Sequence, residues 1–197
     1  MYEIRVTGNL RGDQVPDRDQ PLAVGREFAR PSGYDDQQLT AWALAAGQGD
    51  PQALAAFVRS TQHDVWRFLH HLLDLPSVDD LTREVYRRAV RDVAGCREGR
   101  PPRLWLLNVT RRLAREHMRP SRPIERVSNA GRGHEDDLRR MVRRLPEELR
   151  EAFVATQLLG LSYVEAARVC ECPVAAIRTR VARARDDLVT GARESID

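Results

Sequence analysis

The chain contains no lysine: all 32 of its basic residues are arginine. Arginine's planar fork suits phosphates and base edges, but a GC-rich genome also favours arginine codons, so meaning lies only in where the arginines stand. Cysteine is scarce too. Cys96, Cys170 and Cys172 are an odd set without the spacing of a disulfide framework, which points to a reduced compartment. No apolar run approaches the roughly 18 residues that a membrane span needs. Met1-Tyr2-Glu3-Ile4-Arg5 lacks the apolar stretch of a secretory signal, so a cytoplasmic location is expected.

The signatures of catalysis are missing as well. There is no phosphate-binding glycine loop, no G-x-S-x-G and no H-E-x-x-H. His63, His70, His71 and His117 fall in helical stretches without a metal pattern. Cys170-Glu171-Cys172 has no further Cys or His at zinc-finger spacing, so partly buried thiols in a turn are expected there. The carboxylates are interspersed with arginines and no pair stands out as acid and base. No enzyme activity, metal or cofactor is expected.

What the chain does have is helical periodicity. Its 197 residues, 42% hydrophobic and 31% charged, suit one large soluble domain or two small ones. Residues 1–34 stand apart, with Gly8, Gly12, Pro16, Pro21, Gly25, Pro31 and Gly33, and are expected to be a flexible extension. From Asp35 onward apolar residues recur at three- and four-residue steps. Ala53, Leu54, Phe57, Val58, Val65, Trp66, Leu69, Leu72 and Leu73 predict core-facing helices behind an Asp50-Pro51 start. Ser77 and Asp80 have the spacing of a capping box. The helix they would open carries Leu81, Val85 and Ala89 on one face and Asp80, Arg83, Glu84 and Arg87 on another. Such a stripe faces either solvent or a partner.

Gly95 to Pro102 reads as a loop, followed by a helix from about Arg103 to Arg119 with Trp105, Leu106, Val109 and Leu113 as its apolar positions. Between Arg97 and Arg126 nine arginines stand against three glutamates, the strongest basic excess in the chain. Net charge is only +3, so it is this local excess that would attract a phosphate backbone, an exposed arginine-rich helix being the alternative. Residues 120–135 read as a linker. Helices then resume with Leu138, Met141, Val142 and Leu145, a Pro146-Glu147-Glu148 first turn, and a stop at Gly160.

The most specific local pattern begins at Leu161. Ser162 and Glu165 form a capping box, with Val164, Ala166 and Ala167 expected to pack closely. A tight turn at Cys170 to Cys172 follows, and Pro173 opens a second helix. Ile177, Val181, Ala184 and Leu188 make the inner stripe of that helix, with Arg178, Thr179, Ala182 and Arg183 opposite and Arg180 and Arg185 flanking. A capped helix, a tight turn and a basic second helix match the helix-turn-helix mode of reading DNA, in which arginine pairs with guanine and threonine meets a base edge.

Taken in order, these segments resemble the extracytoplasmic-function (ECF) group of bacterial sigma factors over about residues 40–193. The resemblance rests on Asp79-Asp80-Leu81-Thr82-Arg83-Glu84-Val85-Tyr86-Arg87-Arg88-Ala89, on Trp105 to Arg119, on Leu145-Pro146-Glu147-Glu148-Leu149, on Gly160 to Ala167 and on Pro173 to Arg185. It implies an all-α fold of two small helical domains joined by a flexible linker, the second holding the helix-turn-helix. The domains would span 35–119 and 136–193, with the linker at 120–135 threading through polymerase. It further implies that Asp80, Arg83, Glu84 and Arg87 dock on core RNA polymerase. Arg97, Arg100, Trp105, Asn108, Arg111, Arg112 and Arg115 would serve the minus-ten element, with the 95–102 loop taking an extruded base. Ala175, Arg178, Thr179, Arg180, Ala182 and Arg183 would read the minus-thirty-five element. Promoter DNA and an anti-sigma protein are the other implied partners. The chain departs from the family at Arg83, where glutamine is usual, at Arg112, near which asparagine is usual, and at Pro101-Pro102-Arg103-Leu104 before the tryptophan. Two other readings stay open: a stand-alone regulator that senses a ligand through residues 35–119, and a degenerate sigma fold that competes for polymerase.

Overall fold

A computed structural model describes residues 35–73, 75, 77–93, 101–118 and 134–194. The expected extension at 1–34, the 95–100 part of the loop with Cys96, Arg97 and Arg100, and most of the linker lie outside the described residues.

Four helices form the first cluster: α1 (Asp36–Gly47), α2 (Pro51–Leu72), α3 (Asp79–Arg91) and α4 (Pro102–Met118). Asp35 caps α1 by accepting from the Gln38 amide, and Asp50 caps α2 by accepting from the amides of Gln52 and Ala53 at 2.8 and 3.1 Å. Between them Gly49 adopts φ 94°, a conformation an L side chain resists. Phe57, Val65, Phe68, Leu69 and Leu72 on α2 are all buried, each contributing about 1.5–3 kcal/mol of apolar burial. The Tyr86 hydroxyl pairs with the buried Thr61 hydroxyl at 2.8 Å, fixing α3 to α2.

Two local expectations are corrected here. Ser77 does not cap α3 in a capping box. Val78 occupies the cap position with no side-chain bond, and the Ser77 hydroxyl accepts from the Asp79 amide, only two residues on. Trp66, expected in the core, is 39% exposed and stacks on His70 with ring centroids 4.4 Å apart. A long amphipathic helix has boundary positions, and helical spacing alone does not separate these from the core.

The second cluster holds α5 (His134–Arg144), α6 (Glu147–Phe153), a π-helical turn (Val154–Leu158), α7 (Tyr163–Cys170) and α8 (Val174–Glu194). Helix α5 thus begins two residues before the expected domain start. The π turn is closed by the Leu159 amide donating to the Val154 carbonyl at 3.0 Å, and Gly160 at φ 67° then ends the run. Buried apolar residues of both clusters, from Leu39 to Val181, join into one continuous core. The two domains therefore pack on each other.

Candidate nucleic-acid interface and the domain seam

The charged stripe of α3 points outward. Arg83 donates to Asp80 at 2.7 Å, with both side chains strongly exposed, and Arg87 pairs with Glu84. Glu84 also accepts from Arg88 Nε at 3.0 Å, and this bond first, then the charges of Arg87, Arg88 and Arg91, holds its carboxyl below the usual range. Exposed pairs of this kind add little to stability, so the stripe can exchange them for a partner's charges at small cost. Arg88, which the sequence did not single out, reaches across to Glu116 of α4 at 2.8 Å and links the two helices.

Helix α4 carries the minus-ten candidates, and its described arginines are engaged by the second domain, Arg111 buried and Arg115 and Arg112 progressively more exposed. Trp105, Asn108 and Arg111 are each 5% exposed. Asn108 Nδ2 donates to the Val169 carbonyl of α7 at 2.9 Å. Glu151 of α6, with no exposure, accepts from Arg111 Nε at 2.8 Å and from Arg115 Nε and Nη2 at 2.6 and 2.9 Å. Arg115 also faces Glu147 at 2.9 Å, and these carboxylates hold its guanidinium more firmly protonated. Arg112 donates to Glu171 at 2.8 Å, and that bond is the main reason the Glu171 carboxyl sits below its usual range. Every described minus-ten candidate therefore lies on the seam between the domains. Arg103 adds to it, pairing with the buried Asp64 of α2 at 2.6 Å while donating to the Leu159 carbonyl at 3.2 Å, an acceptor presented just after the π turn. From the other side Arg150 donates to the Leu72 carbonyl at 2.8 Å.

The helix-turn-helix is built as its sequence suggests. Ser162 Oγ accepts from the Glu165 amide at 3.2 Å and Glu165 accepts from the Ser162 amide at 2.8 Å, the reciprocal pair of a capping box. The turn passes through Glu171 at φ 53°, a left-handed position where glycine or asparagine is more at ease. A glutamate there places its carboxylate in reach of Arg111 and Arg112, which ties the turn of one domain to the helix of the other. Cys170 is buried and its thiol is pushed up to about 12, chiefly by that burial, so it stays protonated. Val164, expected to pack closely, is 51% exposed.

On α8, Ile177, Val181 and Ala184 are buried while Ala175, Arg178, Thr179, Ala182 and Arg183 are exposed on the opposite face. Arg180 departs from that group. Its guanidinium turns toward α6, bonding Glu148 at 2.5 Å and lying 3.3 Å from Cys172 Sγ. The seam residues Glu151 and Glu171 were missed by sequence reasoning. For Glu151 the signal was a glutamate on the apolar side of a short helix, in a domain whose partner helix is rich in arginine; Glu171, exposed in the turn, offered none.

Two family models match this chain: Sigma-70 region 2 over residues 57–123 and Sigma-70, region 4 over residues 135–188. Among curated proteins, the probable RNA polymerase sigma-C factor of Mycobacterium bovis is 42% identical over 172 residues, covering 80% of this chain and 93% of that protein. The ECF RNA polymerase sigma-E factor of Escherichia coli K12 is 28% identical over 177 residues, covering 76% and 93%. Among solved structures, that of CnrH in complex with the cytosolic domain of CnrY superposes with a TM-score of 0.67 at 22% identity, over 80% of this chain and 98% of that one. Both conserved regions of the family are present in order, on the two halves of one all-α fold: the chain belongs to the ECF group of bacterial RNA polymerase sigma factors.

Proposed function

We propose that the chain recruits core RNA polymerase to its promoters through the α3 stripe, reads the upstream element with α8 and captures melted downstream strand with α4. It acts as a non-catalytic initiation factor. On α8 the reading residues are Arg178, Thr179, Ala182 and Arg183, with Ala175 at the helix start. Arg180 serves to hold α8 on α6 through Glu148.

The observation that carries the mechanism is the double engagement of α4. Asn108, Arg111, Arg112 and Arg115, the residues proposed to meet the minus-ten strand, are the ones bonded to Glu151, Glu171 and the Val169 carbonyl. Carboxylates occupy the positions that phosphate oxygens and base edges would take, since both present anionic or polar acceptors to the same arginine fork. DNA capture and domain packing therefore compete, and the chain must open to work. Opening transfers both members of each pair to water or to new partners, so it avoids the penalty of a stranded buried charge. Polymerase, by holding the two domains on separate surfaces, raises the effective concentration of each at its promoter element. An anti-sigma protein is the proposed partner that keeps such a chain from polymerase; CnrH, which shares the fold, was solved bound to the cytosolic domain of another protein, CnrY.

The test is anisotropy of the labelled full chain titrated with core polymerase. Saturable binding that Glu84→Ala weakens about tenfold supports the docking role. Binding of equal strength in that variant would sink it.

A further inference from the structure

A groove of about 680 Å³ opens where the first turn of α4 meets the helix-turn-helix. That lies within the size range of small-molecule sites, which concentrate where two domains meet. One wall is Leu104 and Trp105 behind Pro101, and the facing wall is Val164, Pro173 and Val174. Three polar residues also reach it, and they differ in what they have left to offer. Asn108 donates to the Val169 carbonyl and to Glu171 and carries no charge. Glu171 is held by Arg112 and Arg111, so its charge is already balanced. Arg168 is exposed and makes no hydrogen bond or ion pair among the described residues. An apolar cleft with one uncommitted cation at its mouth is complementary to an apolar body that carries one anion.

We propose that this groove binds a small anionic amphiphile, a fatty or aromatic acid, with its apolar part between Trp105 and Val174 and its acid group at Arg168. Because the two walls belong to different domains, a bound ligand touches both and favours the packed arrangement by mass action. That consequence rests on the competition between packing and DNA capture set out above; the site itself does not.

The test uses the full chain and two fluorescent probes of nearly equal shape, 8-anilinonaphthalene-1-sulfonate and its neutral parent N-phenyl-1-naphthylamine. One saturable site is expected for each. Arg168→Glu should weaken the sulfonate about tenfold and leave the neutral probe within about twofold, the size of one partly exposed charge reversal. Val164→Glu, also at an exposed position, should weaken the sulfonate as well, and thermal melts would check that both variants fold. Displacement by decanoate or by naphthoate separates an aliphatic from an aromatic acid as the preferred guest. Non-saturating fluorescence, or sulfonate binding untouched by both variants, overturns the proposal. Binding that passes these tests but leaves transcription unchanged would contradict the packing competition and not the site.

Discussion

Arg111 and Glu151 form a buried ion pair across the domain seam, with Nε 2.8 Å from the carboxylate and side-chain exposures of 6% and 0%. Residues 40 apart in sequence, on helices of different domains, thus share the most deeply enclosed charges described in the chain. Arg115 completes the group by donating twice to the same carboxylate.

Glu151→Ala should be strongly destabilising. It leaves the Arg111 guanidinium enclosed with only the more distant Glu171, 3.5 Å away, for an anion, at a cost of about 3–5 kcal/mol if the domains stay packed. If they part instead, the loss is smaller and the chain expands. Glu171→Ala, at the exposed end of the same seam, should cost under about 1 kcal/mol. Chemical denaturation paired with small-angle scattering distinguishes these outcomes. Equal effects from the two substitutions would contradict the ranking.

His71 gives the fold a specific acid sensitivity. Burial first, and then His70, Arg67, Arg139 and Arg143, lower its pKa from 6.5 to about 4, and its Nδ1 is enclosed without a hydrogen-bond partner. The unfolded chain binds a proton near pH 6.5 that the folded one refuses until about pH 4. Stability from this group is therefore complete above pH 6.5 and lost as pH falls through that window, by about 2 kcal/mol after solvent screening. In thermal melts between pH 7.5 and 4 the native chain should lose stability relative to His71→Gln as pH falls. Parallel curves would rule out the assignment.

The two arginines of the recognition helix should separate cleanly. Arg178→Ala is expected to lose about 1–3 kcal/mol on a preferred upstream element and less on a scrambled one, as a base contact would. Arg180→Ala should leave that discrimination intact and lower the melting temperature, because its bonds go to Glu148 and Cys172. Promoter-fragment binding by the polymerase-bound chain measures both. A matching loss of discrimination in the two variants would place Arg180 on the DNA after all.

Much of this was legible in the sequence, and the reason is local. Capping at Ser162 and Glu165, the inner stripe of Ile177, Val181 and Ala184, and the amphipathic split of α3 all follow from contacts within a few turns. The misses follow from tertiary competition. Trp66 and Val164 obey helical spacing yet sit at boundaries, and Ser77 lost its cap role to the chain path around Val78. The seam was out of reach because it joins residues 32 to 78 positions apart. Composition had drawn attention to the arginines of α4 as DNA contacts, but only the fold reveals that carboxylates of the second domain already hold them.

The most direct test is the distance between the domains, read by paired fluorophores on azido side chains placed at the exposed positions Arg91 of α3 and Asp187 of α8. The free chain should give one short distance, and binding to core polymerase with promoter DNA should lengthen it by more than about 10 Å, since the two promoter elements lie well over one duplex turn apart. Saturable polymerase binding with that distance unchanged would contradict the claim that Arg111, Arg112 and Arg115 must leave Glu151 and Glu171 before the chain can work.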